Sequence, residues 1–295
     1  MINITFMVKT MNGSERISKT AKNNLGLYSV GIILGTFWIY LPFVKWLFLT
    51  WQSLFKDTFG YLVPVISIGI LFSKRKEILT IPKNHALHGW VFFIPGISVA
   101  LFSRGNDQPA LACLSLPFYL YGLCLLLWGK ERSRYLIFPI YFCFFLYPWD
   151  TLFESVIGFH LQHLSTILAF SGFKAMGLDA SISGTLIHTG RFLIHVVPEC
   201  SGLTILKVLF FFGAIGAYVY PGNLRYKWIL WLSIIPVAVC LNMCRIISVG
   251  FIGHFMNADT AILFFHHVSG ILFFGLALLL LYGESAFFKR IEGVS

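Results

Sequence analysis

Charge is what this chain has least of. Asp, Glu, Lys and Arg make up 12% of its 295 residues, against about 25% in a soluble domain, and that shortage excludes an ordinary water-soluble globule. Acidic residues are the scarcer kind, 12 against 22 Lys and Arg. Also missing are a glycine-rich phosphate loop, an HExxH zinc helix and any tight Cys/His cluster, so neither a metal nor a cofactor is expected. No CxxC occurs, since Cys240 and Cys244 stand four apart. Residues 1–24 are polar and basic, and no small-residue cleavage site follows the first apolar stretch, so a cleavable signal peptide is not expected either.

Long apolar runs are there instead. Apolar and aliphatic-to-aromatic residues reach 57%, aromatics alone 17%. A membrane-spanning helix needs about 20 mostly apolar residues. Candidate runs lie at roughly 25–44, 58–73, 87–103, 109–129, 134–149, 202–220, 227–252 and 261–282. The second, third and fifth are short, which tilt or snorkelling flanks accommodate.

The basic residues give these runs a direction. Lys9, Arg16, Lys19 and Lys22 precede the first run; Lys74, Arg75, Lys76 and Lys83 separate the second and third. Lys130, Arg132 and Arg134 mark the fourth junction, Arg225 and Lys227 the sixth, and Lys289 and Arg290 follow the last. On the opposite side stand only Lys45, Lys56, Arg104, Lys174 and Arg191. Basic residues favour the cytoplasmic side, so this pattern predicts an all-α polytopic protein of the plasma (inner) membrane, with about eight transmembrane helices and both termini cytoplasmic. A net charge of +10 would suggest nucleic acid in a soluble protein. Here the charge sits between spans, so membrane lipids are the expected partner and nucleic acid is not.

This gives a cytoplasmic tail at 1–24, a single transmembrane domain at 25–282 and a second cytoplasmic tail at 283–295. The one long outer connection is 150–201. Its first part, residues 151–170, has apolar residues at helical spacing with Glu154, His160, Gln162 and His163 between them, the pattern of an amphipathic helix at the interface. From Ser181 to Val197 two β-branched, partly alternating runs flank Thr189-Gly190, which predicts a small β-hairpin.

Three motifs carry chemistry. Five cysteines, Cys113, Cys124, Cys143, Cys240 and Cys244, fall inside apolar runs, where Cys is a small hydrophobe. Cys200 alone stands in a polar setting, Pro198-Glu199-Cys200-Ser201-Gly202. Pro198 stops strand or helix, Ser201 suits an N-cap, and a helix N-terminus favours a thiolate. Glu199 opposes that, so a nearby cation is required. Arg245, in Asn242-Met243-Cys244-Arg245-Ile246, lies toward the outer end of the seventh run, where an Arg costs roughly 2.5–3.5 kcal/mol to insert. It suits stabilising a thiolate or an oxyanion, with a structural ion pair as the bland reading. Asn242, a turn earlier, would orient the guanidinium or bind substrate. His266 and His267 open the last run in His266-His267-Val268-Ser269-Gly270; adjacent helical residues diverge by about 100°, so one of them at most faces a site. A thiol, a guanidinium and an imidazole at one membrane surface are the parts of covalent acyl transfer. Arg191, Asp150 and Glu154 are further candidates for touching a substrate peptide. Lys207, seven residues after Cys200, falls on the same helix face about 10 Å deeper.

These residues resemble the exosortase/archaeosortase family: Cys-Ser-Gly at the mouth of one span, Asn-x-x-Arg-Ile in the next, and His-x-x-x-Gly in the last. The likeness covers mainly residues 134–282. It implies a membrane-embedded cysteine protease/transpeptidase with Cys200 as nucleophile, Arg245 as electrostatic partner and His266 as acid/base, His267 being the alternative. It also implies substrates that are secreted precursors bearing a C-terminal motif, a transmembrane helix and a basic tail, delivered to water or to a lipid or polysaccharide acceptor. Glu199 and Arg191 would contact substrate beside Asn242. A transporter or channel with Lys207, Arg245 and His266 lining a polar path is the rival reading, and it requires Cys200 to be dispensable. A haem- or quinone-binding protein is a weaker rival, because most of the nine histidines lie at the ends of spans.

Overall fold

A computed structural model describes residues 31–52, 59–149, 153–190 and 192–293. Six of its helical stretches are long and apolar enough to cross a membrane: Gly31–Gln52, Leu87–Gly105, Pro109–Leu146, Glu154–Ala175, Leu224–Phe255 and Ala258–Glu292. Leu203–Val219 is equally apolar but shorter. The architecture is all-α with one small three-stranded sheet. The chain divides into two compact units, one ending at Tyr147 and one starting at Pro148.

The first unit holds α1 (Gly31–Gln52), α2 (Leu62–Thr80), α3 (Trp90–Gly105) and α4 (Pro109–Tyr141). The runs at 109–129 and 134–149 are joined without a loop: Gly129 breaks α4 at φ 76°, ψ 177°, and helix resumes at Lys130. A residue with a Cβ is disfavoured there, so glycine makes the junction in a single residue. Buried Arg132 turns back from this junction, and its Nε donates to the Ile81 carbonyl at 2.7 Å beyond the end of α2. Part of the expected cytoplasmic charge is thereby spent on closing a helix end.

The second unit carries the three chemical motifs. A π turn, Glu154–Gly158, leads into α5 (Phe159–Ala175). The residues expected to form an interfacial helix thus form one that is also long and apolar enough to cross. The sheet follows: β1 (Ser181–Ser183), β2 (Leu186–His188) and β3 (Leu193–His195), antiparallel in that order. The predicted hairpin is β2–β3, and β1 extends it through a second turn at Gly184. The sheet is one-sided. Ile187 and Ile194 face a core with Phe173 of α5 and with Ile246, while His188 and His195 face outward.

Beyond the 3-10 turn Pro198–Cys200 come α6 (Leu203–Val219), α7 (Leu224–Leu232) and α8 (Ile234–Phe255). Then follow α9 (Ala258–Leu263), a π turn at Phe264–Ser269 and α10 (Gly270–Glu292). α8 is the hub, packed against α5, α6, α9 and α10. Leu209 of α6, Ile234 and Ala238 of α8 and Ala277 of α10 form the centre of the second core, each at most 2% exposed. The helices bearing the Cys, Arg and His motifs are therefore mutual neighbours. Gly250 lets the sheet lie this close to α8, since a Cβ there would press on Phe173 and Ile194.

Candidate active site

The Cys200 turn is held by its backbone. Cys200 N–H donates to the Val197 carbonyl at 2.7 Å and Ser201 N–H to Pro198 at 3.0 Å, closing the turn. Asn242 of α8, fully buried, donates from Nδ2 to the Cys200 carbonyl at 2.7 Å and to Ser165 Oγ at 3.0 Å. Ser165 of α5 in turn donates to the Ser201 carbonyl at 3.1 Å. Gln162, a turn earlier, donates to the Val196 carbonyl at 2.6 Å. Two helices thus grip the chain on either side of the cysteine. The sequence suggested that Asn242 would orient Arg245 or bind substrate. In the structure it holds the peptide group of Cys200 instead.

Ser201 plays part of the capping role expected of it, accepting from Leu203 N–H at 3.3 Å, although the residue before α6 is Gly202 at φ 86°. A Cβ at Gly202 would lie 2.9 Å from Asn242 Cγ. Gly202→Ala should therefore cost about 2 kcal/mol from its left-handed backbone alone. Pushing Asn242 off the Cys200 carbonyl should lower activity further. A thermal melt in detergent alongside the activity assay measures both, and unchanged values for both would remove this role for the glycine.

Arg245 lies one turn after Asn242 on α8, half-buried. Its Nε donates to Ser269 Oγ at 3.2 Å, and its guanidinium carbon sits 4.6 Å from the centre of the Phe265 ring. Ser269 is held by donating to the Phe265 carbonyl at 2.7 Å. Both seat residues come from the π turn, the kind of helical bulge that re-aims side chains at functional sites. Neither Ser269 nor Phe265 stood out in the sequence, although Ser269 lies inside the His-x-x-x-Gly motif.

Cys200 and Arg245 line one cavity of about 160 Å³, walled also by β3 and α9. Burial pushes the Cys200 thiol above its ordinary pKa, and the Arg245 guanidinium pulls it back most strongly. A backbone hydrogen bond at Val197 also lowers it, and Glu199 adds a smaller upward push. The cation that the sequence required is Arg245, and it outweighs Glu199. Burial still wins, so the Cys200 thiol is held above its ordinary pKa, the opposite of the direction its place before a helix suggested. Alkylation of Cys200 by iodoacetamide should accordingly speed up only as pH rises beyond the usual thiol range. Arg245→Gln should move that profile still higher, read from the Cys200 peptide by mass spectrometry; a profile moved lower would contradict the pairing.

The histidines divide. His266 and His267 are exposed and line a neighbouring cleft with Asp259, Ile262 and Leu263. Ile262 also lines the Cys200 cavity, and the His266 ring meets the Phe265 ring edge-on at 5.0 Å. His195, on β3, lines the Cys200 cavity itself. Its signal was its place on the alternating run just before the cysteine. Glu199 is exposed, Lys207 is half-buried on α6, and Arg191 and Asp150 lie outside the described residues.

Residues 51–283 match the family described as Transmembrane exosortase (Exosortase_EpsH). No curated protein and no solved structure matches the chain. The match runs through the sheet, the Cys200 turn, α8 and the π turn, so the whole cavity falls inside it. The chain belongs to the exosortase family of membrane proteases and transpeptidases, and is a multi-pass membrane protein that processes C-terminal sorting signals.

Proposed function

We propose that the protein cleaves its substrates by cysteine acyl transfer at the cavity between β3 and α8. The observation that carries this reading is the pairing of Cys200 with Arg245 in one cavity, where Arg245 is the strongest influence favouring the thiolate. The thiol sulfur attacks the carbonyl carbon of the scissile peptide bond as an imidazole takes the thiol proton. The Arg245 guanidinium stabilises the charge that develops on sulfur and then on the carbonyl oxygen. The C–N bond breaks, the imidazolium gives its proton to the leaving amine, and a thioester remains on Cys200. Water or an acceptor amine or hydroxyl then resolves the thioester and restores the thiol.

His266 is assigned the proton transfer, with His267 as the alternative. His195 supports a second assignment because it lines the nucleophile's cavity. Replacing each histidine separately distinguishes them: only the acid/base variant should lose activity together with the acidic limb of its pH profile. The reading places the 150–201 connection and the cavity on the outer face of the plasma membrane, with both termini cytoplasmic. A reporter fused after Lys227 should then behave as cytoplasmic.

The decisive experiment traps the intermediate. Membranes quenched in acid should contain the protein joined through Cys200 to the N-terminal part of a secreted precursor. Neutral hydroxylamine should release it, as it does a thioester and not an amide. An adduct on another residue, or one resistant to hydroxylamine, would overturn the mechanism.

A further inference from the structure

β3 has an open edge, and the active-site cavity runs along it. On its paired side, Thr189 N–H donates to the Phe192 carbonyl and Val196 N–H to the Thr185 carbonyl, each at 2.9 Å. Ile194 stands opposite Ile187 between them. Bonding direction alternates along a strand, so the backbone N–H and C=O of Leu193 and His195 point away from β2. Among the described residues, nothing bonds to these four groups. Leu193 and His195 from one face of the strand and Ile194 from the other line the same cavity. Only a cavity along the strand's edge can touch both faces. Cys200 and Arg245 line it too, and Val249 and Ile262 contribute apolar surface to it.

We propose that this edge is the substrate-docking strand. The occupant is the substrate segment beside the scissile bond, bound extended, paired to Leu193 and His195 and turning an apolar side chain toward Val249 and Ile262. The inference rests on the cysteine chemistry assigned to the same cavity. A helical peptide bond has its carbonyl hydrogen-bonded and covered, so a cleavable segment beside a membrane tail must unwind. Near lipid, freed backbone groups are costly unless partnered, and an unpaired edge supplies those partners by strand addition. Main-chain pairing also reads extended shape more than sequence, with alternate side chains supplying selectivity.

The test removes the edge donors one at a time. The probe is a tail-bearing precursor that accumulates in Cys200→Ala cells. Leu193→Pro deletes one cavity-facing N–H, and Leu193→Ala removes the same side chain while keeping it. His195→Pro and His195→Ala form a second pair. Each proline variant should process the precursor about tenfold more slowly than its alanine partner. Ile182→Pro, on the far edge of the sheet at β1, should process it at the wild-type rate. The rate of Cys200 alkylation by iodoacetamide, which needs no docking strand, should be the same in each Pro/Ala pair and reports an intact site. On the substrate side, a proline scan across the cleavage region should reduce processing at alternate residues. Equal rates within both Pro/Ala pairs, with alkylation intact, or a scan without alternation, would overturn the docking strand while leaving the cysteine chemistry standing. Normal processing in Cys200→Ala cells would overturn that chemistry instead.

Discussion

Cys200→Ala should abolish release of the membrane tail, with precursors accumulating at full length in the membrane fraction, and the loss should exceed about 10³-fold. The structure makes this a clean chemical deletion. The Cys200 side chain packs against the core beneath the sheet. The hydrogen bonds that fix the turn are backbone ones, the Cys200 N–H to Val197 and the Cys200 carbonyl to Asn242. Alanine keeps both, so the turn and the grip of α8 on it should survive. Cys200→Ser should be nearly as inactive. The site already holds a thiol above its ordinary pKa by burial, and an alcohol in the same place is far harder to ionise. Immunoblots of the precursor, together with detergent melts of both variants, separate lost chemistry from lost folding. Full processing in either variant would remove Cys200 as nucleophile, and processing in Cys200→Ala would favour a transporter-like role for Lys207, Arg245 and His266.

How much of this was legible in the sequence follows from the physics of each feature. The apolar spans were, because lipid imposes a long one-dimensional signal that tertiary contacts cannot erase. Helices cover the expected runs wherever residues are described. But Glu154–Ala175, expected at the interface, is also long and apolar enough to cross, whereas Leu62–Thr80 and Leu203–Val219 are not among the six that are. The 109–149 junction was legible only as a cluster of basic residues. That it is made by one glycine at positive φ, with Arg132 turned inward, depends on a contact with Ile81, 51 residues away. The hairpin showed through its β-branched alternation, but β1 did not, since Ser181-Ile182-Ser183 becomes a strand only by pairing with β2.

The site divides along the same line. Cys200 and Arg245 were visible because each is an anomaly in its setting: a cysteine among Pro, Glu and Gly, and a guanidinium in an apolar helix. The residues that hold them were not. Ser165, Ser269 and Gln162 are ordinary polar residues whose importance lies in what they bond to, and those partners are between 24 and 36 residues distant in sequence. Asn242 was noticed for its spacing to Arg245, yet helical spacing says only that two residues share a face. It does not say that one turns to the Cys200 carbonyl and the other to Ser269 and Phe265. The sign of the thiol's pKa shift was missed for a related reason. Helix position is local and readable, whereas burial is set by how β3, α8 and α9 close around the sulfur.

Arg245→Lys should lose nearly as much activity as a neutral replacement, about 10²–10³-fold in processing, although it keeps the charge. Arg245 makes two contacts at once: Nε donates to Ser269 Oγ at 3.2 Å, and the guanidinium carbon sits 4.6 Å from the centre of the Phe265 ring. In the proposed mechanism, that seat leaves the other guanidinium N–H groups to act on the sulfur and the carbonyl oxygen. A lysine ammonium is a compact point charge without the planar fork, so it can sit against Ser269 or face the substrate, but it cannot do both from one stem. The two contributions separate experimentally. If charge alone lowers the thiol pKa, Arg245→Lys should alkylate at Cys200 with a pH profile close to wild type, whereas Arg245→Gln should be displaced to higher pH. Processing should nevertheless fall steeply in both, because the oxyanion needs a placed donor and not merely a nearby cation. Wild-type processing in Arg245→Lys would reduce the guanidinium to a counter-ion, and an Arg245→Gln profile identical to wild type would remove even that.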